Sequence, residues 1–130
     1  MRDESILKTL TVLYVEDDVN IRKMTSRFLK RRFAYVYEAE NGKEGLRIYT
    51  LNKADIHLLI TDIQMPIMSG MVMIEEIMKI DDALPIIITT AYNDEYHTSI
   101  KVCRNIIKPI DDEQLLESII SCVTNRHGFQ

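Results

Sequence analysis

The residues best suited to chemistry are the acidic run Glu16-Asp17-Asp18 and the separate Asp62, with Thr90 and Lys108 further along the chain. Each follows or ends a short apolar run: Leu13-Tyr14-Val15, Leu59-Ile60-Thr61, Ile87-Ile88-Thr89 and Asn105-Ile106-Ile107 respectively. Carboxylates gathered in one place repel each other, which raises their proton affinity or draws in a hard cation. Mg²⁺ is well served by one or two carboxylates, a carbonyl and several waters. Taken alone, Glu16-Asp17-Asp18 also reads as a solvated helix start, where acids are favoured by the helix dipole. The company of Asp62, Thr90 and Lys108 tips the reading towards a site.

Bringing these residues together requires that the runs be neighbouring strands. Five short runs rich in β-branched residues alternate with amphipathic stretches, the pattern of a parallel-sheet α/β fold. They are Thr11 to Val15, Ala34 to Tyr37, Ile56 to Thr61, Pro85 to Thr89, and Asn105 to Ile107. The third and fourth are nearly continuous Ile and Leu, as strands covered on both faces require. The second is the most polar and is placed at an edge. In an open α/β sheet the ligand crevice lies beyond the carboxyl ends of the strands, where strand order reverses. For the order 2-1-3-4-5 that point falls between strands one and three, where Glu16, Asp17 and Asp62 sit.

Between the first two strands Ile21, Met24, Phe28 and Leu29 recur at helical spacing, with Arg22, Lys23, Arg27 and Lys30 on the solvated side and Asp18 or a neighbour as cap. A second helix follows Asn41-Gly42. A third runs from about Ser69 to Ile80 with Ile74, Ile77 and Met78 inward. The last starts at Asp111 and turns Leu115, Leu116, Ile119, Ile120 and Val123 to one face. Only residues 93–104 remain for a helix between strands four and five, and Ile100, Val102 and Cys103 make a thin stripe, so a shortened fourth helix is expected. A frayed tail is expected over residues 124–130. No repeat or linker interrupts the chain, which reads as one domain over 1–130 with its core at about 10–123.

Composition narrows the function. The 130 residues are 46% hydrophobic and 28% charged, with 16 basic and 20 acidic residues for a net charge of −4. That balance argues against a phosphate-coating basic surface, so direct nucleic-acid binding is not expected. No uncharged run approaches the roughly 18 residues needed to cross a bilayer, and no secretory signal opens the sequence, so a cytoplasmic location is expected. Cys103 and Cys122 lie in no metal or redox motif, and are read as reduced structural thiols with no redox role. The seven methionines read as core or loop filling. His57, His97 and His127 lack metal-ligand spacing.

Taken together, the motifs resemble the receiver domain of two-component response regulators, of the chemotaxis-regulator type, from about Leu10 to Val123. Leu13-Tyr14-Val15-Glu16-Asp17-Asp18 with Arg22 following carries the likeness, as do Thr61-Asp62-Ile63-Gln64-Met65-Pro66-Ile67-Met68-Ser69-Gly70, Thr89-Thr90-Ala91 and Ile107-Lys108-Pro109. The resemblance implies a flavodoxin-like, doubly wound five-stranded parallel sheet. It implies that Asp62 takes a phosphoryl group from a phosphohistidine of a sensor histidine kinase or a histidine phosphotransfer protein, and later loses it by slow self-catalysed hydrolysis. Positive charge must offset the meeting of two anions, which Mg²⁺ (Mn²⁺ as a substitute) and Lys108 would supply. By the same likeness Asp17 binds the metal directly, Glu16 directly or through water, and Gln64 through its backbone carbonyl, while Asp18 lies outside the site. Thr90 donates its hydroxyl to a phosphate oxygen, Ala91 leaves the approach open, and the peptide before Pro109 is cis, aiming Lys108 at the site. Strand alternation turns Thr89 away. The switch then alters the face from strand four to the last helix, with a monomer or a phosphorylation-dependent dimer as the assembled form and an effector left open.

Two departures from the family pattern bear on output. The position three before the lysine, commonly aromatic, is Asn105, and the stretch between Thr90 and Lys108 is short. Signalling through a rearranged segment, with Tyr92 or Tyr96 supplying the ring, is one expectation. Control of phosphoryl lifetime by Gln64 and Tyr92, two positions after Asp62 and Thr90, is another. Rival readings fit less well. A phosphatase of the haloacid-dehalogenase type needs a second aspartate where Gln64 stands. A flavin module needs a Gly- and Ser/Thr-rich loop where the acids stand. A receiver-shaped interaction module that works without phosphorylation is the remaining alternative, although Asp62, Lys108, Asp17 and Thr90 are all retained.

Overall fold

Strands β1 (Thr11–Val15), β2 (Tyr35–Ala39), β3 (Leu58–Asp62), β4 (Ile86–Thr90) and β5 (Arg104–Ile107) form one sheet in the order β2-β1-β3-β4-β5, with every pair parallel. The computed structural model describes residues 4–91 and 102–128, the last four through their backbone alone. β3 and β4 are buried at every position, which is why their sequences are runs of Ile and Leu without alternation. β2 is an edge, as its polarity requires, but extends two residues past the expected end. Glu38 and Ala39 stay in the ladder opposite Tyr14 and Val15, and the Glu38 carboxylate is held by Lys30 at 2.9 Å. β3 begins two residues later than expected. His57 precedes it and accepts the Thr11 N–H on Nδ1 at 3.0 Å, a structural role for that imidazole.

Among the described residues four helices cover the sheet: α1 (Val19–Lys30), α2 (Gly42–Asn52), α3 (Gly70–Met78) and α4 (Asp112–Gly128). Their starts are set by short polar side chains that take up unpaired first-turn amides. Asp18 Oδ1 accepts from Asn20 and Ile21, Asn41 Oδ1 from Glu44, Ser69 Oγ from Val72, and Asp111 Oδ2 from Gln114. The helix expected between β4 and β5 falls mainly on residues 92–101, outside the described residues, as do Tyr92, Tyr96 and His97. α4 continues to Gly128, so residues 124–128 of the expected frayed tail are helical.

Strand alternation divides the interior into two apolar layers. On one side Val12, Tyr14, Leu58, Ile60, Ile87 and Ile106 meet Leu29 of α1 and Leu115, Leu116 and Ile119 of α4. On the other, Leu13, Val15, Leu59, Ile86 and Ile88 meet Ile48 and Tyr49 of α2 and Met73, Ile74 and Ile77 of α3. Met65, Met68, Met71 and Met78 pack against this second layer, in keeping with a filling role. A 3-10 turn at Ser5–Thr9, missed in the sequence reading, inserts Leu7 into the first layer at 0% exposure.

Three expectations are corrected. Met24, placed on the inner face of α1, is 68% exposed. The buried positions are Thr25, Ser26 and Leu29, and Met24 lies at the rim of a hollow of about 160 Å³ lined by Ile21, Thr25, Lys108, Pro109 and Ile110. Arg22, placed on the solvated side, instead folds back and donates from Nη1 to the Glu16 carbonyl at 2.6 Å. Cys103 and Cys122 are not free thiols but a disulfide, with their Cα atoms 5.9 Å apart. They lie 19 positions apart in the sequence, so no local motif announces the pair. The packing of α4 against β5 is what makes them neighbours.

Candidate functional site

The carboxyl ends of β1, β3, β4 and β5 lie on one edge of the sheet, and the acidic residues meet there between β1 and β3. Glu16 continues β1 by one residue, its N–H bonded to the Ala39 carbonyl at 3.0 Å. Its side chain is fully buried, and Oε2 accepts the Asp18 N–H at 3.1 Å. Asp17 beside it is exposed. Asp62 is the last residue of β3, 7% exposed, with Oδ1 fixed by the Ile63 N–H at 2.7 Å. Its other oxygen, Oδ2, faces Lys108 Nζ at 3.2 Å, and the same ammonium lies 2.9 Å from Glu16 Oε1. Lys108 thus spans 46 residues of sequence to reach Asp62.

Two further contacts hold this edge in place. Lys108 N–H donates to the Thr90 carbonyl at 2.7 Å, which ties the end of β5 to the end of β4. The Lys108–Pro109 peptide is cis, as expected. Thr90 is 2% exposed and stands one position beyond the Asp62–Thr89 pair of the β3–β4 ladder, and Ala91 next to it is exposed. Thr89 is fully buried. Gln64 is exposed in the loop after Asp62. Gly70 closes that loop. Its N–H bonds the Ile63 carbonyl at 2.8 Å, and a Cβ at this position would collide with the Asp62 backbone carbonyl. Within the same loop Ile67 adopts φ 72°, a left-handed conformation that is costly for a β-branched side chain, and it is exposed.

The electrostatics follow from burial. Desolvation pushes the Glu16 carboxyl above its usual range, opposed by its hydrogen bonds to Lys108 and the Asp18 amide. Burial of Lys108 works against its charge, but the hydrogen bond to Glu16 and the charges of Asp62 and Glu16 outweigh it, so its ammonium is held more tightly than usual. Burial likewise raises Tyr14 above the ordinary phenol range. Oxygen atoms of Glu16, Asp17 and Asp62 all lie within 4.8 Å of one another. Three carboxylates lie at this spacing, one of them exposed, with the Lys108 ammonium against two of them, and that excess of hard oxygen donors fits a hard divalent cation.

Asp18 stands outside the cluster as the α1 cap, and Asn105 is exposed on the edge strand β5. Tyr92 is outside the described residues. Arg22 is the neighbour of the site that sequence reasoning placed wrongly. By bonding the Glu16 carbonyl and approaching Glu38 at 3.9 Å, it pins the backbone that carries the acids.

A doubly wound parallel sheet of this order, with an acidic pocket and a lysine at its switch point, defines a flavodoxin-like α/β protein. The chain belongs to the response regulator receiver domain family, whose model matches residues 12–120. Such receiver domains are parts of two-component signalling proteins. The chain is 34% identical over 116 residues to the transcriptional regulatory protein GlrR of Escherichia coli K12, covering 86% of this chain and 26% of that protein. The chain therefore spans about a quarter of the length of that relative. Among solved structures, a response regulator receiver domain protein from Clostridium thermocellum superposes with TM-score 0.83 at 28% identity, over 91% of this chain and 97% of that one. The response regulator TrrA from Thermotoga maritima, solved with Mg²⁺ and a beryllium fluoride, gives TM-score 0.74 at 29% identity, over 87% and 98%. Among the described residues, no helix is long and apolar enough to cross a membrane.

Proposed function

We propose that Asp62 is the phosphoacceptor and that residues 1–130 act as one cytoplasmic receiver domain. The observation that carries the assignment is the Asp62 carboxylate, anchored through Oδ1 and facing the Lys108 ammonium through Oδ2, beside Glu16 and Asp17 at the switch point. An Asp62 oxygen attacks the phosphorus of a phosphohistidine on a sensor kinase or phosphotransfer protein. The O–P bond forms as the N–P bond breaks, and the electron pair stays on the imidazole nitrogen, which takes up a proton. Catalysis of this transfer is largely positioning and charge stabilisation. Lys108 supplies fixed positive charge to the phosphoryl oxygens. The Thr90 hydroxyl donates to one of them, and the small Ala91 leaves room for it. Glu16, Asp17, Asp62 and the Gln64 carbonyl would hold Mg²⁺, or Mn²⁺ in its place, which neutralises phosphoryl charge when bound. Hydrolysis of the aspartyl phosphate by water resets the domain.

A beryllofluoride titration tests this reading. Saturable binding that requires Mg²⁺ and is lost in Asp62→Asn is the expected result. Binding that survives Asp62→Asn contradicts the assignment.

A further inference from the structure

We propose that Cys103 and Cys122 form a redox-sensitive clasp on β5, closed as a disulfide and opened by a dithiol reductant, which sets how firmly the strand carrying Lys108 is held. β5 is an edge strand of four residues, and only Ile106 among them is buried. Packing therefore anchors it weakly, and its ends matter more. Its far end is tied by the Lys108 N–H to the Thr90 carbonyl. Its near end is tied by the Cys103 N–H to the Ile86 carbonyl at 2.7 Å, by the disulfide to α4, and by Arg104 Nη2 to Ser121 Oγ at 3.0 Å.

The two halves of the bond differ in a way that suits exchange. Cys103 is exposed, whereas Cys122 is 2% exposed within the layer formed by α1, α4 and the sheet. An incoming thiolate can reach the Cys103 sulfur, and attack there breaks the S–S bond and releases Cys122, which takes up a proton. The second thiol of the reductant then attacks the mixed disulfide and releases Cys103. The reductant leaves as a disulfide, and the chain gains two electrons and two protons. The two apolar layers hold many residues besides Cys122, and a chain of this length buries enough surface to stay folded without cross-links. Opening the bond thus loosens one edge of the sheet, and the strand loosened is the one that leads into Lys108.

Backbone hydrogen exchange on the full chain, oxidised and after treatment with dithiothreitol, reads the effect without reference to phosphorylation. Peptide mapping should find the Cys103–Cys122 bond in a glutathione buffer. Reduction should then speed exchange of the Ile106, Ile107 and Lys108 amides by about tenfold beyond any change in β1 and β3. Cys103→Ser and Cys122→Ala should each reproduce the reduced pattern with or without reductant. Failure of the bond to form, equal acceleration in every strand, or unfolding of the reduced wild-type chain would each overturn the proposal, the last two marking a simple staple. Mg²⁺-dependent beryllofluoride affinity should also fall by about threefold on reduction, as expected when one equilibrium biases another, and equal affinity in both forms would refute the link to Lys108. Absence of any beryllofluoride response in either form would count against Asp62 as phosphoacceptor, leaving the exchange data to decide on the clasp.

Discussion

Replacing Lys108 with alanine removes the ammonium that lies between the buried Glu16 and Asp62 carboxylates. Its Nζ stands 2.9 Å from Glu16 Oε1 and 3.2 Å from Asp62 Oδ2, with side-chain exposures of 16%, 0% and 9%. At the effective dielectric of about 20 that suits such sites, each contact is a gross attraction of about 5 kcal/mol, most of it offset by desolvation. What remains after truncation is a pair of carboxylates without a counter-ion, and removing one partner of a buried ion pair costs about 3–5 kcal/mol. The metal-free Lys108→Ala protein should therefore lose about 3 kcal/mol of stability at neutral pH. A divalent cation can take the place of the ammonium among the same oxygens, so Mg²⁺ should restore more stability to the variant than it adds to the wild type. Saturation at a hundredfold over its dissociation constant would return about 2.7 kcal/mol. Urea unfolding of both proteins, with and without Mg²⁺, measures the difference directly. A loss below about 1 kcal/mol, the range of an exposed pair, or equal Mg²⁺ stabilisation of both proteins, would refute the reasoning.

The other predictions use the same geometry. Burial raises the folded-state Glu16 carboxyl, so its contribution to stability is present below the ordinary Glu value and is lost as pH rises through the raised one. Glu16→Gln should match the wild type in acid and exceed it at neutral pH without metal, a difference that pH-dependent urea midpoints would show. Gly70→Ala would drive a Cβ into the Asp62 carbonyl and should cost about 2 kcal/mol or more while weakening Mg²⁺ binding, measured by thermal unfolding and metal titration. Ile67→Gly relieves a left-handed φ at an exposed position and should raise stability by about 1 kcal/mol; a destabilised variant would show that the loop is not strained there.

Much of the scaffold was legible because its causes are local. The Ile and Leu runs of β3 and β4 declare strands covered on both faces, and Asp18, Asn41, Ser69 and Asp111 declare helix starts through side-chain chemistry that spans three residues. The site was legible because strand ends in a parallel sheet share one edge, so Glu16, Asp17, Asp62 and Lys108 converge once the strand order is known. Features that depend on distant packing were not. The Cys103–Cys122 bond exists because α4 crosses β5, which no spacing encodes. Arg22 has a charge that reads as solvated, yet the Glu16 carbonyl lies within its reach once α1 docks on the sheet. Met24 follows the apolar period of α1 but falls where that helix faces a hollow rather than the core. Leu7 lies ahead of the first strand in too short a segment for any period to show.

The most direct test of Asp62 as phosphoacceptor is intact-mass measurement after incubation with a small-molecule phosphodonor and Mg²⁺, with Asp62→Asn alongside. A single phosphoryl adduct that needs Mg²⁺, disappears in the variant and is lost slowly on standing is the predicted result. An adduct that persists in Asp62→Asn, or a wild-type chain that takes up neither phosphoryl nor beryllofluoride, would contradict it.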